Sequence, residues 1–193
     1  MADFNDILPS GVDIQAVELT SVQPTVTTAS ISGRVQVRSF GGHYWTMKIT
    51  MPRMKEADLK NVYGFLVKQR GSFSTFTIAP SNLTTVHGTA SIAEDITDTN
   101  AVGDTVLTTS GSNEFKVGDM VKFTSGTKAH MVVTCSGNQL TVEPGLLVQT
   151  TASHDIHSGS NFEMTVRLTG DQFSYKIGPD GLGDLEFNVV EAI

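Results

Sequence analysis

The sequence predicts a mainly β protein: a discontinuous β-sandwich or barrel domain with one α-helix, carrying an inserted small β-barrel domain. Three observations carry that reading. Thr, Ser and Val are abundant and there are 18 Gly in 193 residues, a balance that favours strands and turns. Alternating apolar runs stand towards both ends of the chain. Between them lies a segment with its own composition: residues 1–83 carry a charge of +2, residues 84–158 carry −5 and residues 159–193 carry −4. The expected division is 1–83 with 159–193 as one β domain, and 84–158 as the insertion.

Residues 1–30 are polar and Thr-rich and read as an extended arm with an early strand. In "GRVQVRSF", Val35 and Val37 share one face and Arg34, Gln36 and Arg38 the other, the pattern of a half-buried strand. "YWTMKITM" sets Trp45, Met47 and Ile49 against Thr46, Lys48 and Thr50. Gly41–Gly42 between these runs predicts a hairpin joining them. In "MKEADLKNVYGFLVKQRG", Leu59, Val62, Tyr63 and Leu66 form a helical stripe, expected to pack with Trp45. Glu56 and Asp58 in the first turn and Lys68 and Arg70 in the last suit the helix dipole. Gly71 is placed to end the helix in a left-handed turn. "SFSTFTIAP" then alternates as a strand, with Phe73 on one face and Phe76 and Ile78 on the other, stopped by Pro80. From residue 84, short strands recur between Gly/Asp/Asn turns at barrel-like spacing. "VGD" appears at Val102–Asp104 and again at Val117–Asp119. Near the end, Met164, Val166 and Leu168, then Leu185, Phe187 and Val189, resume the first alternation and are expected to complete the first sheet.

Composition narrows the function. With 39% hydrophobic and 17% charged residues, the chain can build a core and is not disordered. A net charge of −7 argues against nucleic-acid binding as the main role. No apolar run approaches the roughly 20 residues of a membrane helix, and the N-terminal segment lacks the pattern of a signal peptide. The expectation is a soluble protein made in a cytosol. One cysteine, Cys135, excludes an internal disulfide and reads as a small strand-end residue. In "HDIH", His154, Asp155 and His157 read as a solvated turn in an exit linker, short of the ligands a metal needs. His43, His87 and His130 have no partner spacing. Asp180 and Asp184 in "GPDGLGD" offer too few oxygens for calcium. "NLT" at Asn82 matches a glycosylation acceptor by chance. No nucleophile elbow or phosphate loop is present. No catalytic residue, cofactor or metal is expected, and the chain does not read as an enzyme.

The run from Gly33 to Ile78 resembles the N-terminal region of distal tail proteins and related minor tail proteins of tailed bacteriophages. The shared features are Gly41–Gly42, the Trp45 strand, the Pro52–Met54 exit, the helix, and Gln69 to Thr77. "FKVGDMVKFTSGTKAHMVV" and "LTVEPGL" resemble the small β domain of such proteins, and "LEFNVVEAI" their last strand. The first 30 residues match nothing in that family. The resemblance implies a virion structural protein, assembled in the host cytoplasm. It implies a homo-oligomeric ring, usually a hexamer, between the tail tube protein and the tail hub protein and fibres. It implies no direct contact with nucleic acid or membrane. A tail-tube or head–tail connector protein is the first alternative. A carbohydrate-binding module for host attachment is the second, although the insertion offers only Phe115 and Phe123 as an aromatic platform.

On that reading, Lys68, Arg70, Phe73, Phe76 and Ile78 are the candidate subunit-interface residues. Alternation puts apolar side chains on both faces of their strand, and the basic pair borders it. The other possibility is that the second strand face packs on the opposite sheet of its own sandwich.

Overall fold

Among the described residues, sixteen strands fall into two main sheets and a separate two-stranded ribbon. The computed structural model describes residues 1–9, 11–87, 93–111 and 115–193. Parts of the insertion, 88–92 and 112–114, lie outside the described residues. In chain order the first elements are β1 (Ala2–Asp3), β2 (Ala16–Val22), β3 (Thr25–Ala29), β4 (Val35–Ser39), β5 (Tyr44–Thr50) and β6 (Met54–Lys55). Helix α1 (Glu56–Lys68), β7 (Phe76–Ile78) and the short α2 (Ser81–Thr84) follow. Then come β8 (Ala93–Asp95), β9 (Val106–Thr108), β10 (Met120–Phe123), β11 (Ala129–Ser136), β12 (Gln139–Glu143) and β13 (Asp155–His157). The chain ends with β14 (Met164–Leu168), β15 (Tyr175–Ile177) and β16 (Leu182–Glu191).

The first sheet has eight strands in the order β1-β7-β14-β16-β5-β2, with β6 and β15 also paired to β16. Its spine is β16. Leu185, Phe187, Val189 and Glu191 point inward while Glu186 and Asn188 are exposed, as period-two alternation requires. The second sheet has six strands in the order β8-β13-β10-β11-β12-β9 and a core of its own, including Leu107, Phe115, Val132 and Ile156. The fold is thus mainly β with one main helix, as the sequence predicts. All strands of the first sheet come from residues 2–78 and 164–191, and all strands of the second from 93–157.

Helix α1 has no side-chain N-cap, and Leu59, Val62, Phe65 and Leu66 face the core. Phe65 belongs to the stripe; Tyr63 lies at its half-buried margin, edge-on to Phe173 and Tyr175. Trp45 is buried in the same core cluster as the helix stripe, towards the end of β5 away from Leu59. It stands five residues along β5 from Thr50, which pairs with Glu186, so it lies about 17 Å from that end of the sheet. The helix docks at the beginning of β16, where a Cβ on Gly183 would come within 2.3 Å of Leu59.

The N-terminus corrects the expectation of an arm. β1 pairs parallel to β7, and Phe4 is wholly buried against Phe65, Phe76 and Phe187. Asn5 extends the ladder with its side chain, accepting from the Ala79 amide at 3.1 Å and donating to the Ala79 carbonyl at 2.8 Å. The segment is polar by composition, but one phenylalanine and one asparagine fix it in place.

The expected hairpin across Gly41–Gly42 is also corrected. β4 pairs with β3, and β5 pairs with β2. The four strands form one long hairpin with a break in register, since Val22 faces Tyr44 but Thr25 faces Ser39. Two residues fill the gap on one strand and four on the other, so Gly41 and Gly42 lie in a bulge rather than a turn. The reversal is at Ile31–Gly33, with Gly33 at φ +79° and Ser30 closing the loop through the Arg34 backbone. β4 is not half-buried: every residue of β3 and β4 is exposed.

"SHDIHSG" is not a linker. Ile156 is fully buried in β13, which lies between β8 and β10. The two "VGD" segments share a local geometry. Asp104 and Asp119 each accept the amide three residues back, at 2.7 and 2.9 Å. Gly103 and Gly118 take φ +95° and +98°, and each donates to a carbonyl across the fold, Leu146 or Val132. The aspartate ties the turn and the glycine supplies the left-handed backbone, so three letters suffice.

Candidate assembly surfaces

The helix–strand corner divides into a surface part and a core part. Lys68, Arg70 and Phe73 are exposed, Phe73 at 79%, beside exposed Val67. Phe76 and Ile78 are fully buried inside their own chain. This corrects their place among the subunit contacts: the strand is covered by its own α1, N-terminus and β14, so those two side chains cannot meet a neighbour. The turn before it uses two left-handed residues in a row, Arg70 at φ +55° and Gly71 at +64°. A Cβ on Gly71 would stand 2.4 Å from the Asp171 carboxylate, which receives the Ser72 amide at 3.4 Å. Gly71→Ala is expected to cost about 1–2 kcal/mol from the left-handed backbone alone, with Arg70→Gly neutral or slightly stabilising. Urea melts of both variants check this; equal losses would show that the turn relaxes to another shape.

The β3–β4 ribbon is the other prominent surface. Pairing puts Val26 beside Arg38 and Thr28 beside Gln36 on one face, with Thr27 beside Val37 and Ala29 beside Val35 on the other. Val35 and Val37 are 61% and 65% exposed, Phe40 65%, and Ile31 stands fully in solvent at the tip. Residues 23–43 include Arg34 and Arg38 and no acidic residue. Neither arginine makes an ion pair among the described residues.

Where the two sheets meet, a polar joint is sealed from water. Trp45 Nε1 donates to the Ala129 carbonyl at 2.9 Å. The Glu191 carboxylate accepts the Ala129 amide at 2.7 Å, the Trp45 amide at 3.2 Å, and the Lys128 ammonium. The side chains of Glu191 and Lys128 are 0% and 4% exposed. Burial pulls the Lys128 ammonium below its usual range, and its bond to Glu191 only partly opposes that. Met120 and Ala129 of the inserted sheet join the core of the first. His43 is packed edge-on to Trp45, with Nε2 2.9 Å from Ser21 Oγ and Nδ1 buried without a partner. His130 donates Nδ1–H to the Pro144 carbonyl at 2.7 Å. Nothing in the sequence spacing of residues 43, 45, 128 and 191 points to this cluster; it exists only because β5, β11 and β16 converge.

The remaining candidates have structural partners. His154 bonds Thr151 and His157 bonds Thr124. Arg53 forks between Asp180 at 3.1 Å and Asp184 at 3.3 Å, so a guanidinium occupies the place where calcium was considered. Among the described residues no group of three or more His, Cys, Asp or Glu is arranged to hold a metal. Phe115 and Phe123 are each only 2% exposed and cannot form a sugar platform. No helix among the described residues is long and apolar enough to cross a membrane. No protein-family model matches the chain, and no curated protein matches it.

Proposed function

We propose that this chain is a structural protein of a bacteriophage tail tip, a distal-tail-like subunit of a ring that joins the tail tube to the hub and fibres. We assign it no catalytic step. The observation that carries this reading is the architecture. An eight-stranded sheet with one helix is interrupted by a second, smaller sheet and then resumed. That arrangement agrees with what the sequence resemblance implies. The sealed Lys128–Glu191 joint supports it, because a force-bearing assembly needs its two sheets held in one orientation. The surface residues Lys68, Arg70 and Phe73 are available for subunit contact; Phe76 and Ile78 are not.

The experiment is mass photometry of the purified chain followed by negative-stain imaging, with antibody labelling of virions that contain it. A six-fold ring and label confined to the tail tip are expected. Label along the tail shaft or at the neck would favour the tube or connector alternative. A monomer at every concentration up to about 100 μM would remove the ring.

A further inference from the structure

We infer that the β3–β4 ribbon is a docking arm for a second copy of this chain, received on the acidic, partly apolar surface beside β9 of that copy's inserted sheet. The inference names the contact within the proposed assembly and rests on that reading. Both faces of the ribbon are exposed, and both carry apolar side chains: Val26 and Phe40 on one, Val35 and Val37 on the other. Among the described residues neither outer backbone edge has a strand partner. From Pro24 to its tip the arm reaches about 25 Å, enough to cross onto a neighbour.

Charge selects the occupant. The arm carries +2 from Arg34 and Arg38, which leaves −9 on the rest of the chain. An anionic bilayer would attract the arm but repel that body, whereas another copy offers the arm an acidic surface. One region of the body matches it in both respects. β9 ends the ladder order of the inserted sheet and is tied on its outer side to the segment after β8, where Ile96 bridges Thr109 and the Thr97 amide donates to the Thr108 carbonyl at 2.9 Å, so the acceptor is a closed seam and takes the arm through side chains. Val102, Val106, Leu147 and Val148 are exposed there, between 41% and 63%. The Gly103 amide bonds the Leu146 carbonyl at 2.7 Å, which brings the two stretches together. Asp98, Asp104 and Glu143 are exposed on the same stretches, and residues 93–111 and 139–150 contain no Lys or Arg. Apolar area meets apolar area, and arginine meets carboxylate, with charge setting the orientation. Donor and acceptor are different surfaces, so each docked copy leaves one of each free and the contact can run around a ring.

The test uses the full-length chain. Arg34→Glu/Arg38→Glu is expected to weaken self-association at least tenfold at 0.15 M NaCl, with an unchanged circular dichroism spectrum, because both positions are in solvent. Val35→Ser/Val37→Ser is expected to weaken it similarly but without the salt dependence. Mixing the arginine-reversed chain with Asp98→Arg/Glu143→Arg should restore assembly to within about threefold. If the wild type assembles and both arm variants assemble equally well, the arm is not the contact, although the assembly reading stands. A wild type that stays monomeric overturns that reading and this inference together. Flotation of monomeric wild type with phosphatidylserine vesicles, lost on reversing Arg34 and Arg38, would assign the arm to a membrane instead.

Discussion

Glu191→Ala is expected to cost about 3–5 kcal/mol, the range for breaking a buried ion pair by removing one partner. The carboxylate satisfies three donors at once: the Lys128 ammonium and the amides of Trp45 and Ala129. Alanine leaves one charge and two N–H groups without an acceptor in a place water does not reach. Burial already weighs against the Lys128 charge with Glu191 present, so the pair holds the joint in register rather than adding a large net attraction. Two consequences separate this from simple loss of packing. Lys128→Met combined with Glu191→Gln should cost clearly less than the two single changes summed, since the first removes the charge that the second would strand. Trp45 is the only tryptophan in the chain and sits on the joint, so its emission should shift to the red in Glu191→Ala before the far-ultraviolet signal changes. The melting temperature should fall by roughly 10 °C for a chain of this size. A loss below about 1 kcal/mol would mean that the carboxylate is hydrated and the two sheets move independently.

What the sequence discloses depends on how local the cause is. Helix α1 was legible because its stripe, its first-turn acids and Gly71 all lie within one run of residues. The strands of β14 and β16 were legible through alternation. Alternation does not name a partner, however. "VQVRS" and "YWTMKIT" flank a Gly-Gly and fit a hairpin equally well whether they pair with each other or with earlier strands. The preceding Thr-rich segment supplied those strands, β2 and β3, with little apolar signal. The loop that does reverse the chain, Ile31–Ser32–Gly33, has the single left-handed glycine of a three-residue hairpin and could have been found on that ground. Phe76 and Ile78 show a second limit. A strand with apolar residues on both faces can be covered by another subunit or by its own N-terminus, and here Phe4 covers it. The joint of Trp45, Lys128 and Glu191 was beyond reach, because contacts spanning up to 146 residues leave no local pattern.

Acid should weaken the same joint over a defined interval. His43 and His130 are both held neutral down to about pH 4, against an ordinary value of 6.5. Burial is the main cause at each, and the nearby Lys128 charge adds to it. His43 faces Ser21 and Trp45, and His130 faces Phe123 and the Pro144 carbonyl, so among the described residues neither imidazole is bonded to a carboxylate. Between pH 6.5 and 4 the unfolded chain binds protons at these two positions and the folded chain does not. Stability is therefore full above about pH 7, falls as pH drops through 6.5, and stops falling on this account below about pH 4. At His130, which is only 2% exposed, the shift corresponds to roughly 3 kcal/mol across the interval, and solvent screening makes the His43 contribution smaller. The exposed Asp180 and Glu186 carboxyls are held below their ordinary values, Asp180 chiefly by the Leu182 amide and Glu186 by Lys48. They lose charge only at the acid end of the interval or beneath it, so their effect can be told apart. Urea unfolding at pH 7.5, 5.5 and 4.5 should show a progressive loss in the wild type and a much flatter profile in His43→Gln/His130→Gln. Equal slopes in the two proteins would place the acid sensitivity elsewhere and show that both imidazoles reach solvent.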